Sequence, residues 1–206
     1  MIGVPQQVFE EFAEDYDAWF EEHAAEYRAE LERVRRLVPP GEGCAVEVGA
    51  GSGRFAAPLG IGLGIEPSLA LARMTRQRGV EVVRGRAEAL PLRDGSCSLV
   101  LMVTVICFLD DPASALQEVH RVLAPGGTVV IGLLEREGRS ARTYRHSREK
   151  GRFLCHARFY SADEVISLLR ACGFSVAGME SMQGFCVIRA GKHTDRCATT
   201  QSGNIY

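Results

Sequence analysis

The sequence predicts an α/β protein in which helices cover both faces of a doubly wound, mostly parallel sheet. Short apolar runs alternate with amphipathic helical segments along most of the chain. Two runs, 99–109 and 128–133, are almost continuously apolar, which is typical of strands buried on both faces. A glycine-rich turn at 49–53 follows the first apolar run of the predicted sheet, residues 44–48. Sheets that bind a ligand at the carboxyl ends of their strands have such a turn.

Composition sets the class of protein. A chain of 206 residues, 46% hydrophobic and 24% charged, suffices for one globular domain with a buried sheet. A net charge of −2 gives no overall attraction to nucleic acid or to an anionic membrane. We expect neither a signal peptide nor a membrane span, because the first residues are not basic and the longest apolar run is too short. The seven scattered cysteines indicate reduced thiols in a cytoplasmic protein.

The N-terminal segment, residues 6–38, has apolar and aromatic side chains at spacings of three and four, which predicts two helices or one bent helix. Carboxylates dominate the other face between residues 10 and 32. Two interpretations remain open. The segment is either a helix with a solvated acidic face that covers the sheet edge, or a lid in which Tyr16, Trp19 and His23 hang over the ligand.

The first strand and the loop after it carry the main functional signal. Residues 44–48 are apolar except for Glu47, and three glycines follow at alternate positions from 49 to 53. Glycine permits a tight turn with positive φ and lets a ligand approach the backbone. Glu66 ends the next apolar run, where a carboxylate can accept hydrogen bonds from both hydroxyls of a ribose. These strand ends predict a nucleoside-binding crevice.

The segments after this loop continue the sheet. Apolar runs over 61–65 and 80–83 predict the second and third strands. Ser68 is a suitable N-cap for a helix over 69–77 between them. The polar connection over 84–96 is longer than a simple turn, and such loops in compact α/β domains are usually functional. We therefore expect this loop to contribute to the crevice.

The second half repeats the alternation. A helix over 111–124 begins at Asp111-Pro112 and ends at a Pro-Gly-Gly turn, and residues 128–133 form the fifth strand. The strand within 99–109 runs into a loop at residues 104–108. Strand ends from four parts of the chain thus converge on one crevice.

The C-terminal part predicts one helix and two strands. Ser161, with Glu164 three residues later, forms a capping box at the start of the helix. The strands over 174–179 and 185–189 are separated by a short connection, which favours an antiparallel hairpin. Residues 191–206 are polar without a period, and we expect a disordered tail.

Four ordered motifs resemble the class I S-adenosylmethionine-dependent methyltransferases, in the branch with small-molecule and quinone-precursor enzymes. They are V-E-V-G-A-G-S-G at 46–53, G-I-E-P-S at 64–68, G-R-A-E-A-L-P-L at 85–92 and L-Q-E-V-H-R-V-L-A-P-G-G at 116–127. Within the branch, a prokaryotic histamine-methyltransferase-like subgroup is similar at Y-D-A-W-F (16–20), M-V-T-V-I-C-F-L-D-D-P (102–112) and A-R-F-Y-S-A-D-E (157–164). The resemblance implies a seven-stranded Rossmann-like methyltransferase fold with an N-terminal helical lid, and S-adenosylmethionine as cofactor.

The resemblance also assigns residues to the cofactor. They are Tyr16, Glu47, Gly49, Ala50, Gly51, Gly53, Glu66, Pro67, Ala87, Glu88, Val103 and Thr104. By this assignment Glu47 and the backbone of the glycine loop hold the methionine end, and Glu66 takes the ribose hydroxyls. Tyr16 would reach the cofactor carboxylate from the lid.

At the other end of the cofactor, the resemblance implies that Ala87 and Glu88 line the adenine, with Ala87 offering its backbone N–H. Val103 and Thr104 would lie beneath the sulfonium. The family often has Asp where this chain has Arg86, so Glu88 is expected to accept from the adenine amine instead.

Methyl transfer from a sulfonium needs alignment, exclusion of water and sometimes a general base. No spacing compels one base; the candidates are His23, Tyr144, His146, His156 and Tyr160. Trp19, Cys107 and Phe108 are candidates for contact with the substrate, and no metal is expected. The expected partner is a small molecule rather than nucleic acid or a membrane, and the expected state is a monomer or homodimer.

The predicted organisation is a single domain over 1–190 followed by the tail. It comprises a lid (1–40), a cofactor-binding core (41–133), a substrate-side insertion (134–160) and a C-terminal helix and hairpin (161–190). The insertion is rich in Arg and Lys between residues 135 and 152. It is either a solvated segment or, as we prefer, a basic surface that faces the acidic lid and roofs the substrate with it.

Other functions remain open at this stage. Glu66 could bind the ribose of a nicotinamide dinucleotide. The chain could bind the cofactor without transferring a methyl group, as a sensor or partner subunit. RNA methylation and methylation of a metalloid near Cys155 are further alternatives.

Overall fold

The computed structural model describes residues 4–41, 43–138, 141–142 and 151–193. Its strands are β1 (Ala45–Val48), β2 (Leu63–Ile65), β3 (Glu81–Val83), β4 (Cys97–Val103), β5 (Leu123–Leu134), β6 (Phe174–Met182) and β7 (Phe185–Lys192). Its helices are α1 (Val4–Glu11), α2 (Ala13–Glu22), α3 (Ala24–Leu37), α4 (Ala56–Leu59), α5 (Leu69–Gln77), α6 (Pro112–Val122), α7 (Gly151–Leu154) and α8 (Ala162–Ala171). A 3₁₀ turn spans Ile106–Phe108.

The seven described strands form one sheet in the order β3-β2-β1-β4-β5-β7-β6. Strands β1 to β5 are parallel, and β7 is antiparallel to both β5 and β6. The predicted fold class and the C-terminal hairpin are therefore confirmed. Since β1 pairs with β2 on one side and β4 on the other, the chain reverses its winding there, and such a switch point opens a crevice at the strand ends.

The central strand β4 shows why the sequence there is continuously apolar. Val100 and Met102 belong to a core cluster with α6 and α8, whereas Leu99, Leu101 and Val103 belong to a second cluster with α2 and α3. Alternate side chains of the strand thus pack into opposite layers, which leaves no polar position between them.

Local signals set two helix starts where they were predicted. Helix α5 has the predicted bounds, and the Ser68 side chain accepts a hydrogen bond from Leu71 N at 3.2 Å. Both bonds of the capping box between Ser161 and Glu164 are present at the start of α8. Among the described helices, none combines the length and the apolar character that a membrane span requires.

Other boundaries differ from the prediction. The N-terminal segment contains three helices, because Phe12 and His23 have non-helical backbones with φ of −118° and −115°. Helix α6 ends at Val122 and β5 begins at Leu123, which pairs with Cys97. Strand β7 continues to Lys192, so the start of the predicted tail is wrong, and residues 194–206 lie outside the described part.

Candidate active site

The glycine loop after β1 is held in a conformation that favours glycine. Gly49, Gly51 and Gly53 have φ values of 71°, 55° and 83°. The N–H of Gly49 donates to Ile65 O at 2.7 Å, which ties the loop to β2. A Cβ added at Gly49 would lie 2.4 Å from Val105 Cγ2. The loop therefore brings bare backbone to the carboxyl end of the sheet.

Glu66 is joined to the same loop. Its side chain is 5% exposed, and Oε2 accepts from Gly51 N while Oε1 accepts from Ser68 N, both at 2.9 Å. Burial raises the pKa of Glu66 to about 7, although these two donors act in the opposite direction. Each oxygen has a second lone pair, so the carboxylate can also accept from two ligand hydroxyls.

Glu47 lies within β1 and is 2% exposed. Within the described part of the chain, its Oε2 has no hydrogen-bond partner. Burial raises the pKa of Glu47 well above its usual value. A buried, unsatisfied carboxyl oxygen beneath the loop is a group that a donor on a ligand would satisfy.

A first cavity opens at these strand ends beneath α1 and α2. Ten of the residues assigned from the sequence line it: Tyr16, Gly49, Gly51, Glu66, Pro67, Ala87, Glu88, Val103, Thr104 and Phe108. Glu47, Ala50 and Gly53 are buried beside it and do not form its wall. Ten residues predicted from separate motifs therefore lie around one cavity.

At one end of this cavity Arg86 is already paired. Its guanidinium donates to Asp110 at 2.7 Å and contacts Glu88 Oε2 at 3.4 Å. Glu88 Oε1 in turn accepts from Asp110 N at 3.3 Å. Asp110, which sequence reasoning did not single out, lines the cavity with Glu88. The end of the cavity with an arginine in place of the family's Asp therefore still carries two carboxylates.

An aromatic cluster forms the roof. The Phe9 ring lies 5.4 Å from Tyr16, 5.0 Å from Phe108 and 5.2 Å from Phe153. The cluster joins α1, α2, the 3₁₀ turn and α7. Phe9 and Phe153 were missed at the sequence level. Only the helical spacing pointed to Phe9, and no pattern placed Phe153 near the crevice.

Polar contacts fasten this roof to the core. Asp17 of α2 accepts from Arg54 at 2.8 Å and from Arg78 at 2.7 Å. Burial raises the pKa of Asp17, but hydrogen bonds to its carboxylate, of which the one from Arg54 has the largest effect, outweigh burial and bring the pKa to about 2. Glu10 of α1 accepts from Ser68 Oγ at 2.7 Å. These hydrogen bonds thus hold helices α1 and α2 beside the cavity.

A second cavity of about 460 Å³ adjoins the first. Tyr16, Thr104 and Phe153 line both. The remaining residues of the second cavity are aromatic, apolar or charged: Asp15, Ala18, Trp19, Phe20, Glu22, His23, Glu30, Phe55, Leu134, Arg152 and Leu154. Its volume is in the range of small-molecule sites.

Thr104 occupies the junction in a strained conformation. Its φ is 53°, which a β-branched residue adopts only when its surroundings enforce it. The N–H of Thr104 donates to Gly132 O at 2.8 Å, and Cys107 Sγ donates to Thr104 O at 3.2 Å. Strained residues of this kind cluster at functional sites.

The described part of the basic segment contacts the acidic lid. Arg152 of α7 forms an ion pair with Asp15 of α2 and lies over the Phe12 ring at 4.0 Å. Residues 139–140 and 143–150 of the segment lie outside the described part. The contact between lid and insertion is therefore established for α7.

The three described candidate bases do not lie together. His23 lines the second cavity, and its Nδ1 lies 3.0 Å from Trp19 O. His156 is exposed, Tyr160 is buried, and neither lines the two cavities. Tyr144 and His146 are outside the described residues.

The substrate candidates divide between the two cavities. Trp19 lines the second and Phe108 the first, whereas Cys107 is buried and lines neither. Across the described residues, no group of three or more His, Cys, Asp or Glu side chains could hold a metal ion.

The parallel sheet, the bare glycine loop and the carboxylate after β2 define an α/β protein that binds a nucleoside cofactor at its strand ends. A family model described as a methyltransferase domain matches residues 46–131. A crystal structure from Thermotoga maritima, described as a S-adenosylmethionine-dependent methyltransferase and "possible histamine N-methyltransferase", is 39% identical with a TM-score of 0.85, and the match covers 92% of this chain and 100% of that one.

Two further relatives match over most of this chain. An uncharacterized protein of Methanocaldococcus jannaschii is 37% identical over 81% of this chain and 80% of its own length. A probable S-adenosylmethionine-dependent methyltransferase of Mycolicibacterium smegmatis is 29% identical over 77% of this chain and 60% of its own length. The chain belongs to the S-adenosylmethionine-dependent methyltransferases: it is an enzyme, and S-adenosylmethionine is its cofactor.

The residues present fit this cofactor. Glu66 keeps lone pairs for a ribose, and the buried Glu47 oxygen lacks a donor of the kind that the methionine ammonium supplies. A Cβ at Gly49, Gly51 or Gly53 would meet Val105, Tyr16 or Thr75 at 2.4 to 3.1 Å, so only glycine lets the loop backbone pack this closely beside the cavity.

Proposed function

We propose that this methyltransferase transfers the methyl group to a small molecule that binds in the second cavity. The observation that carries the proposal is the junction of the two cavities at Tyr16, Thr104 and Phe153. Through this junction a cofactor in the first cavity can present its reactive end to the second. The acceptor attacks in line through nitrogen, oxygen or sulfur.

In this proposal the residues of the first cavity hold the cofactor by parts. Glu66 accepts from the ribose hydroxyls, and Glu47 with the glycine loop holds the methionine end. Ala87 and Glu88 contact the adenine. Val103 and Thr104 lie under the sulfonium, next to the acceptor. Tyr16 closes the methionine end from the lid.

S-adenosylmethionine, when bound, supplies a methyl group that is already activated by its positive sulfur. The chain's task is then to align the acceptor with that methyl group and to exclude water. The aromatic roof of Phe9, Tyr16 and Phe153 can exclude water, since its rings are in mutual contact.

The description of the Thermotoga maritima protein as a possible histamine N-methyltransferase supports a small acceptor, with nitrogen as the attacking atom. The lining of the second cavity supports it too: it holds the three acids Asp15, Glu22 and Glu30, whereas a folded RNA would need a basic surface.

Incubation of the purified chain with methyl-labelled S-adenosylmethionine and a panel of amines, phenols and thiols tests the proposal. We expect labelled product from at least one small acceptor. A chain that binds the cofactor and labels none of them would favour a binding protein without transfer activity. Ala18→Trp, which fills the second cavity, should raise the acceptor KM and leave the cofactor Kd unchanged. Ala29→Trp, an exposed position on α3, is the matched control.

A further inference from the structure

Glu30 is a buried acid that faces the second cavity. Its side chain is 7% exposed, it projects from α3, and it lines the cavity. No described side chain hydrogen-bonds to it or pairs with it within 4 Å. Arg33, one turn away and also buried, donates instead to the carbonyls of Met182 and Phe185 at 3.2 and 3.1 Å. A carboxyl that lines a cavity but is so little exposed is costly to ionise unless a cation in that cavity pairs with it.

The rest of the cavity matches a cation with an apolar body. Asp15 is paired with Arg152, which leaves Glu22 and Glu30 as carboxyls without an ion pair among the residues described. Trp19 and Phe20 supply apolar and aromatic surface in the same cavity. Aromatic faces also attract cations.

We infer that Glu30 binds the nitrogen of the acceptor and takes up its proton, and that the acceptor is therefore an amine with an apolar or aromatic body. The inference rests on the proposed function and adds to it the residue that selects the acceptor. A neutral alcohol or thiol brings no positive charge to stabilise the ionised form of Glu30, so it gains no ion pair in the cavity.

The chemistry balances without another reactant. The ammonium form of the acceptor gives one proton to the Glu30 carboxylate and becomes a free amine. The nitrogen lone pair then forms a bond to the methyl carbon, and the carbon–sulfur bond breaks with its electron pair going to sulfur. The products are a methylated ammonium and the neutral thioether, and Glu30 returns its proton to solvent.

The surroundings of Glu30 support this role near neutral pH. Burial raises the pKa of Glu30 to about 8, Glu26 on the same helix adds to the rise, and Arg33 opposes it. The charged and titratable groups that line the cavity from other elements are Asp15, Tyr16, Glu22, His23 and Arg152. At pH 7 the empty cavity thus holds a neutral acid, and binding of an ammonium displaces its proton.

Calorimetry tests this step without turnover. The probe is phenethylamine, added to the chain saturated with S-adenosylhomocysteine at pH 7 in two buffers of different ionisation enthalpy. We expect each bound amine to release close to one proton. The reason is that most Glu30 side chains are still protonated at pH 7, one unit below the pKa of Glu30. Glu30→Gln should abolish the release and weaken binding at least about tenfold. Glu32→Gln, the same change on the exposed face of α3, should leave both unchanged.

Failure of phenethylamine to bind, or equal proton release from Glu30→Gln, would overturn the inference. Binding of S-adenosylhomocysteine by the variant shows that it folds. Should it not fold, the wild-type chain still decides, because the amine affinity must then change with an inflection near pH 8.

Turnover separates this inference from the proposed function. Phenethylamine, 2-phenylethanol and 2-phenylethanethiol share one body and differ in the attacking atom. We expect methylation of the amine, with kcat/KM reduced about 10²- to 10⁴-fold in Glu30→Gln, as for loss of a general base. Methylation of the alcohol or thiol alone, at the same rate in the variant, would overturn the role of Glu30 and leave the proposed function standing. A chain that binds amine but labels no acceptor contradicts the proposed function itself.

Discussion

The N–H of Gly51 donates a 2.9 Å hydrogen bond to Glu66 Oε2, so the glycine loop and the Glu66 carboxylate are held together as one unit. Glu66→Gln replaces an acceptor with an amide that must face one of two backbone donors. We expect cofactor affinity to fall about 10- to 100-fold, as for loss of hydrogen bonds to a charged group. Titration with S-adenosylhomocysteine measures it. Glu81→Gln, an exposed acid on the neighbouring strand β3, is the control, and equal affinities in the two variants would refute the role of Glu66.

The pKa of Glu66 predicts how cofactor binding depends on pH. Its value of about 7 lies above the ordinary 4.5, so burial of Glu66 costs the free protein increasing stability between these pH values. Ribose hydroxyls donate to the ionised form, and the cofactor should bind about tenfold more tightly at pH 8 than at pH 6 on account of this one group. Isothermal titration across this range should show a smaller dependence for Glu66→Gln. An identical pH profile in wild type and variant would contradict the assignment.

The ion pairs of Asp17 with Arg54 and Arg78 should hold the lid. Asp17→Asn removes the charge from a partly buried cluster, and we expect a loss of about 1.5 to 3 kcal/mol in the free energy of unfolding. Asp17→Asn should also accelerate amide hydrogen exchange, and the acceleration should be larger in α2 than in β4. Because the pKa of Asp17 is lowered to about 2, this stabilisation is present above pH 3.8 and is lost as the pH falls toward 2. Glu14→Gln on the exposed side of α2 should change neither quantity.

Two residues with positive φ, one at the cavity junction and one that lines neither cavity, allow the effect of backbone strain to be distinguished from an effect on activity. Thr104 has φ of 53° at the cavity junction, and Gln183 has φ of 55° in the turn between β6 and β7. Replacement of either residue by glycine removes backbone strain of about 1 to 3 kcal/mol. It also adds about 0.5 to 1 kcal/mol to the entropy cost of folding, because glycine is more flexible in the unfolded chain. We expect both variants to be at least as stable as the wild type in thermal melts. Only Thr104→Gly should lower kcat/KM, and unchanged turnover in that variant would exclude a role for Thr104.

Gly49 and Gly60 offer a matched pair for the loop. Their φ values are 71° and 73°, but a Cβ at Gly49 would collide with Val105, whereas nothing lies within 4 Å of one at Gly60. Gly60→Ala should cost about 1 to 2 kcal/mol in denaturant unfolding, from the left-handed backbone alone. Gly49→Ala should cost about 1 to 3 kcal/mol more and disrupt cofactor binding. Val105→Ala in the same chain should restore part of the loss; without such rescue, the collision is not the cause.

The sequence predicted those features that local patterns determine. Ser68 and Ser161 begin helices because a short polar side chain precedes a helical period, and the ends of the parallel strands had to converge on the glycine loop and Glu66. The helices are interrupted at Phe12 and His23, where the sequence has neither proline nor glycine. The spacing of apolar residues continues across both positions, so the sequence does not reveal the interruptions.

Glu30 is the clearest example of a site residue that the sequence alone does not reveal. In the sequence it is one of ten carboxylates between residues 10 and 32, and all look like one solvated acidic face. Its burial depends on how α3 packs against β5, β6 and β7, which the local pattern does not encode. Phe153 is similar, because its contact with Phe9 joins segments far apart in the chain.

A crystal structure of the chain with S-adenosylhomocysteine tests the central claim most directly. The account predicts that the ribose hydroxyls contact Glu66, the adenine lies beside Ala87 and Glu88, and the sulfur faces the second cavity next to Thr104. Adenosine bound elsewhere, or a sulfur that points away from the cavity containing Trp19 and Glu30, would contradict it.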